Sequence, residues 1–302
     1  MSTPWVAIQR NPTSGKGNRA SLLQDLIRHL KQKGIRPRLF SNRERMQELL
    51  LQKSNEEQPV CIVAAGGDGT VQEMINRYPD HSIAILPLGT ENLLARYLGI
   101  PKSGEFVAEM ISQGATREID LCQKDDRKFI LMASIGFDAA VVLDLSRIRK
   151  GNISHFSYLK PIWKTLRSYP FEPLHITITV PEQITVQEMT AYHAIVVNIP
   201  AYGLNLKFAP EAQDSDGLLD LVLFEKKGLW NMLKYVFRIM RGTHLGSDGV
   251  QVYQAKEIQI QSAHPVPVQT DGDATGETPI IIKILPAAAR FIVPCSTRAN
   301  DQ

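Results

Sequence analysis

The sequence contains few cysteines, no long apolar run and almost no net charge. Its three cysteines, Cys61, Cys122 and Cys295, are far apart and form no CxxC pair, so neither a zinc cluster nor a disulfide framework is supported. No apolar stretch reaches the ~18 residues that a membrane-spanning helix needs. Basic residues exceed acidic ones only by 34 to 31. This excess is too small to indicate a nucleic-acid partner, and we expect none.

We expect no signal peptide at the N-terminus. The segment from Met1 to Trp5 has no basic region followed by an apolar stretch. We therefore expect a cytoplasmic protein whose only membrane contact is peripheral, at the inner surface. Hydrophobic residues make up 43% of the 302 positions and charged residues 22%. This balance argues against a disordered or fibrous chain, and the length predicts two domains or one large one.

Strand-like and helical segments alternate in the first part of the chain. Strands are predicted at residues 5–9, 36–40, 60–65 and 83–86, and helices at residues 18–33, 43–53, 71–78 and 92–98. Repeated strand–helix units predict an α/β domain over residues 1–121, with a parallel sheet that helices cover on both faces. Ligands of such sheets bind beyond the carboxyl ends of the strands.

From residue 122 the pattern changes to strands rich in β-branched residues. Strands are predicted at residues 129–133, 175–180, 193–198, 218–224, 257–261 and 279–283, and two helical segments at residues 157–168 and 229–241. Several strands alternate apolar and polar residues, which is typical of antiparallel strands with one exposed face. We predict a β-rich second domain over residues 122–286, and a C-terminal segment, 287–302, whose strand returns to the first domain.

Three loops after predicted strands of the first domain are candidates for binding phosphate. They are Asn11 to Gly17, Gly66-Gly-Asp-Gly-Thr70 and Pro87 to Asn92. Glycines let the backbone approach a ligand closely, and N–H groups at a helix start attract anions. Lys16 adds a positive charge, whereas Asp68 beside phosphates usually needs Mg²⁺ to offset repulsion. Neither the P-loop nor the G-x-G-x-x-G spacing is present. The residues alone also fit a helix entry and a tight turn capped by Asp68.

The segment from Gly66 to Asn76 resembles the signature of the diacylglycerol kinase catalytic family, which includes bacterial soluble lipid kinases and sphingosine kinases. The other two loops are similar to that family's nucleotide loops in order and spacing. The resemblance implies an α/β ATP-binding domain, a β-sandwich-like lipid domain and an active site in the cleft between them. It implies ATP and Mg²⁺ as cofactors, a lipid hydroxyl such as that of diacylglycerol as the acceptor, and a homodimer. The implied nucleotide contacts are Asn11, Lys16, Ser41, Gly66, Gly67, Asp68, Gly69, Thr70, Glu73, Thr90 and Asn92.

The resemblance also implies a carboxylate base in the segment Thr270-Asp-Gly-Asp273. Asp273 stands where the family carries Glu, so its side chain is one methylene shorter, and proton transfer depends on reach. Asp271 is adjacent and could compensate, and Asp68 completes the set of catalytic carboxylates. Leu93 is a second departure, because bacterial diacylglycerol kinases often carry Asp there; this weakens the prediction of the substrate more than that of the kinase.

The segment from Pro210 to Asp220 resembles the family's structural metal loop. By that match, Asp216 supplies a carboxylate, and the main-chain carbonyls of Gln213 and Leu218 complete the protein ligands. Ligation by oxygen alone suits Mg²⁺ or Ca²⁺. Without the resemblance, the same residues read as an Asp-Gly turn before a strand.

The predicted helix over residues 229–241 is a candidate for membrane contact. Its large apolar residues and its basic residues fall on different faces; they are Trp230, Leu233, Phe237 and Met240, and Lys227, Lys234, Arg238 and Arg241. Lys160, Lys164 and Arg167 share one face of the other predicted helix. Basic amphipathic helices suit anionic membrane surfaces. The ordinary alternative is a helix that packs its apolar stripe into the core and exposes a charged face.

Two other functions stay open at this level. An NAD kinase has a similar Gly-Gly-Asp-Gly-Thr loop and length, and would phosphorylate a ribose hydroxyl instead of a lipid. The loop that ends at Asn92 and the segment 210–220 argue against it. A non-catalytic nucleotide-binding regulator would be compatible with the departure at Asp273.

Overall fold

The computed structural model describes residues 3–10, 19–52, 58–148, 169–179, 186–200 and 206–295. The chain divides into two units, Met1–Ile119 with Ala287–Gln302 and Asp120–Pro286. The first candidate loop and the predicted helix 157–168 lie outside the described residues. Among the described helices, none is long and apolar enough to cross a membrane.

The N-terminal unit contains a parallel sheet. Its strands are β1 (Trp5–Arg10), β2 (Arg36–Phe40), β3 (Ile62–Gly66) and β4 (Ile83–Pro87), and its helices are α1 (Arg19–Gln32), α2 (Arg43–Gln52), α3 (Asp68–Arg77), α4 (Leu93–Tyr97) and α5 (Gly104–Gln113). The strands lie in the order β2-β1-β3-β4, and a C-terminal strand pairs with β4 through Phe291 and Ile83. Every residue of β3 and β4 is buried, as in a parallel sheet covered on both faces.

In the residues that the structure describes, the C-terminal unit is a β-sandwich with two helices. Its strands are β5 (Thr116–Lys124), β6 (Arg127–Phe129), β7 (Met132–Ile135), β8 (Leu174–Thr179), β9 (Val186–Ala191), β10 (His193–Val197), β11 (Leu219–Phe224), β12 (Val250–Ala255), β13 (Glu257–Gln261), β14 (Pro267–Thr270), β15 (Asp273–Glu277) and β16 (Ile280–Ile292), and its helices are α6 (Phe137–Ile148) and α7 (Leu229–Met240). β5 and β16 run on into the N-terminal unit. The predicted combination of an α/β unit and a β-sandwich is therefore confirmed.

The core of the sandwich contains side chains from two antiparallel sheets. One has the order β12-β11-β10-β7-β14-β15, and the other continues from β16 through β13 and β8 to β9. Alternate residues of the strands point into this core, as the period of two requires. On β11 these residues are Leu219, Leu221 and Leu223, and on β13 they are Ile258 and Ile260.

β10 and β11 have no exposed face, because they are buried at every residue. Their second face carries Ile195 and Phe224, which line a cavity together with residues of α6 and α7. The two helices thus cover a face that a free sheet would leave in water. α6 itself was not predicted, because its residues Phe137 to Val142 are nearly all apolar and give no helical period.

The predicted strand over residues 129–133 is also divided, because β6 ends at Phe129 and β7 begins at Met132. At this break the N–H groups of Ile130, Leu131 and Met132 all donate to the carboxylate of Asp271. A side chain therefore satisfies amides that would otherwise extend a strand ladder.

Candidate active site

The second glycine loop connects β3 to α3 in a very small space. The N–H of Thr70 donates to the carbonyl of Gly67 at 2.9 Å, which starts the helix. A Cβ on Gly66 would overlap the side chain of Thr70, so only glycine fits there. Asp68 and Gly69 form the first turn of α3, where N–H groups have no partner within the helix. This turn is suited to an anion.

The third loop folds back on the second. Asn92 has a φ of 49°, and its side chain both accepts from the N–H of Gly89, at 2.7 Å, and donates to its carbonyl, at 2.8 Å. A Cβ on Gly89 would lie 2.5 Å from the Cα of Gly67. The two loops therefore pack backbone against backbone. The structure brings together Gly67, Gly89 and Asn92, which the sequence placed at neighbouring strand ends.

Asp68 connects the start of α3 to the start of α4. Its Oδ1 accepts from the N–H of Leu94 at 3.2 Å, and the side chain is half-buried. The carboxylate therefore lies beside both glycine loops. This is the position from which a carboxylate could help to hold a cation next to phosphate.

The remaining predicted nucleotide contacts are more dispersed. Ser41 is exposed and follows β2, the strand beside β1, and Thr90 is exposed in the third loop. Glu73 is half-buried on α3 and forms ion pairs with Arg43, at 2.9 Å, and with Arg77, at 3.7 Å. Asn11 and Lys16 lie outside the described residues.

Asp271 occupies the turn between β14 and β15, with a φ of 49°. Its Oδ1 accepts from the N–H groups of Leu131 and Met132 at 2.9 and 3.0 Å, and its Oδ2 accepts from that of Ile130 at 2.9 Å. Both oxygens are thus engaged by the backbone. The carboxylate holds the turn against the start of β7, and this arrangement favours a positioning role.

Asp273 is two residues further on and has a different environment. Its side chain is 52% exposed, and its Oδ2 lies 3.3 Å from Nη2 of Arg127. A single exposed ion pair of this kind is weak. The carboxylate of Asp273 is therefore accessible to a substrate, whereas that of Asp271 is held by the backbone.

The acidic loop, residues 210–220, is held by a carboxylate from β5. Oδ2 of Asp120 accepts from the N–H of Gly217 at 2.7 Å, and Oδ1 of Asp216 accepts from that of Leu218 at 2.9 Å. Burial, and then the like charge of Asp120, raise the pKa of Asp216. Burial is also the main cause that raises the pKa of Asp220 to about 6.

Burial is the largest cause of both shifts, and the like charge of neighbouring carboxylates adds to it. Partly buried carboxylate and carbonyl oxygens are the kind of ligand that fits a hard cation. The predicted ligands there are Asp216 and the carbonyls of Gln213 and Leu218. Within the described residues, no group of three or more His, Cys, Asp or Glu side chains could hold a metal ion. A site with one carboxylate and two carbonyls does not require such a group.

An apolar cavity of about 410 Å³ lies within the C-terminal unit, between β10, β11, α6 and α7. Its volume is within the usual range for small-molecule sites. Its apolar lining residues include Phe137, Val141, Leu145, Ile195, Phe208, Phe224, Met232 and Ile239.

The carboxylate of Asp138 and the imidazole of His193 also line this cavity. Oδ2 of Asp138 accepts from the hydroxyl of Ser134 at 2.7 Å. His193 is only 5% exposed, and its Nδ1 has no hydrogen-bond partner among the described residues. Burial lowers the pKa of His193, and the Asp138 carboxylate partly offsets this effect. The ring is therefore neutral near pH 7 and offers one unused polar atom.

A glutamine side chain links this polar end of the cavity to the turn that precedes Asp273. Nε2 of Gln269 lies 3.1 Å from the hydroxyl of Ser134 and 3.4 Å from Oδ2 of Asp138. Its Oε1 accepts from the N–H of Gly272 at 2.8 Å. The accessible carboxylate and the cavity are thus connected through one buried side chain.

Two family models together match most of the chain. The model of the diacylglycerol kinase catalytic domain matches residues 6–124, and that of the YegS C-terminal NAD kinase beta sandwich-like domain matches residues 132–293. The chain belongs to the diacylglycerol kinase catalytic family. The predictions of this family and of a lipid kinase enzyme are confirmed by these matches.

Two diacylglycerol kinases are similar to this chain in sequence over most of its length. The diacylglycerol kinase of Mycobacterium tuberculosis H37Rv is 28% identical over 300 residues, covering 96% of this chain and 95% of its own. That of Staphylococcus carnosus is 25% identical over 275 residues, covering 89% and 88%.

Two solved structures are similar in fold. A diacylglycerol kinase of Bacillus anthracis has a TM-score of 0.71 at 23% identity, with 98% of each chain covered. A yeast NADH kinase bound to NADH has a TM-score of 0.52 at 10% identity, with 100% of this chain and 89% of its own covered. At these identities the likeness concerns the fold alone.

Sequence reasoning missed the cavity and the side chains of Asp138 and His193 in its wall. For this lipid kinase family a lipid site was expected in the second domain, but no residue was assigned to it. The cavity residues come from separate elements and show no common spacing. The available signals were Asp138 within the apolar segment 137–142, and His193 immediately before the apolar residues of β10.

Proposed function

We propose that this chain is an ATP-dependent lipid kinase that transfers the γ-phosphate of ATP to the hydroxyl of a lipid alcohol such as diacylglycerol. The observation that carries the proposal is the apolar cavity of about 410 Å³ in the C-terminal unit. Its wall suits a hydrocarbon chain, whereas the polar surface of NAD would lose hydrogen bonds to water there. Family membership and the relatives' names support the same reaction.

The glycine loops supply the proposed phosphate site. The N–H groups at the start of α3 favour negative charge, and the contact between Gly67 and Gly89 keeps the backbone compact at this point. Mg²⁺, when bound, would neutralise charge on the phosphates, and Asp68 is the side chain that would help to hold it. Lys16, Ser41 and Thr90 remain predicted contacts of the nucleotide.

Asp273 is the proposed general base. Its carboxylate accepts the proton of the lipid hydroxyl while the oxygen bonds to the γ-phosphorus. The bond from that phosphorus to the β–γ bridging oxygen breaks, and ADP leaves. Arg127 restrains the carboxylate, and Asp271 holds the turn that carries it. We assign the base to Asp273 because both oxygens of Asp271 already accept backbone hydrogen bonds.

The acidic loop is the proposed site of a structural Mg²⁺ or Ca²⁺. Because lipid alcohols of this size reside in bilayers, the proposal also includes peripheral contact with a membrane. A homodimer remains a prediction of the family resemblance.

The test compares Asp273→Asn with Asp271→Asn in an assay with labelled ATP and diacylglycerol. We expect Asp273→Asn to lose at least about 100-fold in turnover, the usual contribution of a general base, while ATP affinity and melting temperature stay unchanged. Asp271→Asn should instead lower the melting temperature, because the amide cannot accept all three backbone bonds. Wild-type turnover in Asp273→Asn would overturn the assignment of the base.

The same assay with other acceptors tests the reaction itself. Sphingosine, other lipid alcohols and NAD replace diacylglycerol in parallel reactions. Phosphorylated NAD without phosphorylated lipid would contradict the lipid kinase proposal, as would the absence of any product when ATP still binds.

A further inference from the structure

The helix α7 has apolar residues on two opposite faces. Met232 and Tyr235 on its inner face are 6% and 3% exposed, and Ile239 beside them lines the cavity. On its outer face lie Trp230, 76% exposed, and Met240, 70% exposed. A surface helix needs one apolar face toward the core, and the second apolar face of α7 stays largely exposed beside the described residues of this unit.

Of the four apolar residues that the sequence placed on one face, Leu233 is half-buried and packs against a buried cluster, as the ordinary interpretation of this helix expects. The other three, Trp230, Phe237 and Met240, which we define as the outer stripe, are more than half exposed. Their exposure costs free energy in water, because large apolar side chains gain from burial. Tryptophan beside basic residues is typical of helices that lie in a membrane interface.

The charged residues of α7 and of the turn that follows it are basic, and the acidic Asp248 beyond them forms an ion pair with Lys226. Residues 226–247 contain five lysines and arginines and no acidic residue. Lys234 and Arg241 are exposed, and at ~100° per residue they project beside the outer stripe. The guanidinium of Arg241 lies 4.2 Å from the ring centroid of Phe237. The cation thus stays next to the apolar residues, where it can meet an anionic group.

We infer that the outer stripe and its flanking basic residues dock on the surface of an anionic phospholipid bilayer. The inference deepens the proposed function and rests on it for the reason why the protein meets a bilayer. A second copy of the chain is a poorer occupant, because a two-fold contact would place this basic surface against itself. Docking would also bring the outer side of the cavity wall to the lipid.

Vesicle sedimentation tests the inference without any enzymatic reaction. The protein is mixed with vesicles of phosphatidylcholine, alone or with phosphatidylglycerol, and bound protein is measured after centrifugation. We expect the wild type to bind to the anionic vesicles. The double variant Trp230→Ser, Phe237→Ser should bind them at least about tenfold more weakly. Lys234→Gln with Arg241→Gln should reduce the preference for phosphatidylglycerol.

Matched controls come from the same unit. Ile281→Ser changes an apolar side chain of β16 that is 43% exposed, and Lys256→Gln removes an exposed lysine. Neither belongs to α7, so both variants should bind as the wild type does. Melting curves check that all variants are folded, which the exposure of the replaced residues leads us to expect.

Three outcomes would overturn the inference. In the first, the wild type does not sediment with anionic vesicles. In the second, the variants of the outer stripe bind to vesicles as the wild type does. In the third, those variants lose self-association while their binding to vesicles stays unchanged. A kinase assay with short-chain diacylglycerol, dispersed without a bilayer, distinguishes the failure of the proposed function from the failure of membrane docking. If it is not phosphorylated, the proposed function fails, whereas sedimentation that depends on the outer stripe still supports docking.

Discussion

The glycine loops of the N-terminal unit and the cavity of the C-terminal unit are built in opposite ways. The loops have almost no side chains at their contact, since Gly67 and Gly89 meet through their Cα atoms. The cavity is lined mostly by residues with large side chains, which come from two strands, two helices and the segment 206–208. One surface is determined by the path of the backbone and the other by the sizes of side chains.

Because of this difference, we expect the glycine loops and the cavity to bind different kinds of ligand and to respond differently to substitution. Phosphate is the same group in every nucleotide, so a fixed backbone cradle suits it. Lipid chains differ in length and branching, and side chains can be exchanged to fit them with little change in the fold. A single methyl group added where Gly67 and Gly89 meet should therefore damage the loops. A much larger addition to the cavity wall should only alter the cavity.

Gly89→Ala should have the largest effect on the loops. The new Cβ would lie 2.5 Å from the Cα of Gly67 and 2.7 Å from Oδ1 of Asn92. One of the two loops must therefore move. We expect a loss of about 1–3 kcal/mol in the free energy of unfolding, as for other overpacked sites, and a loss of at least about tenfold in ATP affinity. Urea denaturation and calorimetric titration with ATP measure the two quantities.

Gly69→Ala is the matched control for this loop. A Cβ at Gly69 meets no atom within 4 Å, and alanine is favoured over glycine in a helix. The free energy of unfolding should stay the same or rise slightly. If Gly89→Ala were as stable as Gly69→Ala, the packing of the two loops would not be the constraint described here.

The sequence was sufficient to locate the glycine loops, because the residues that build each loop are adjacent in the chain. Parallel strands bring their carboxyl ends to one edge of the sheet, so the predicted strands placed both loops at that edge. The contact between Gly67 and Gly89 was not predicted. The sequence could not separate the roles of Asp271 and Asp273. That distinction depends on the N–H groups of residues 130–132, which are about 140 positions earlier and carry no side-chain signal.

The sequence also predicted α7 but not which of its faces packs inward. Trp230, Phe237 and Met240 form one apolar stripe, and Met232, Tyr235 and Ile239 form another. Helical periodicity identifies both stripes equally well. Only the position of β11, whose Phe224 ring lies 4.9 Å from that of Tyr235, decides between them. The cavity behind this helix was unpredictable for the same reason, since its lining has no local pattern.

Val141→Phe should change which lipid chains the cavity accepts and leave the glycine loops unchanged. Val141 lines the cavity from α6, and a phenyl ring there occupies part of the space proposed for the lipid chain. We expect about tenfold lower kcat/KM for long-chain diacylglycerol, a smaller loss for short-chain diacylglycerol, and unchanged ATP affinity. Steady-state kinetics with a series of chain lengths measures this effect.

Val252→Phe is the control for that substitution. Val252 is 44% exposed on β12 and does not line the cavity, so the same change in size should leave the kinetics unaltered. An equal loss for all chain lengths in Val141→Phe would indicate damage to the fold instead of a filled cavity. Melting curves of the two variants distinguish these cases.

The smallest expected effect is that of a divalent cation on the stability of the acidic loop. Like the glycine loops, this loop would bind its ligand partly through main-chain groups. Mg²⁺ or Ca²⁺ at about ten times its dissociation constant should stabilise the wild type by ~1.4 kcal/mol, from the binding linkage alone. This corresponds to a rise of about 3–6 °C in melting temperature for a unit of this size.

Asp216→Asn should lose this response to the cation because it removes the proposed carboxylate ligand. Asp126→Asn, an exposed residue between β5 and β6, should keep it. An identical response of the two variants, or no response of the wild type to Mg²⁺, Ca²⁺ or EDTA, would leave the acidic loop as a turn held by Asp120.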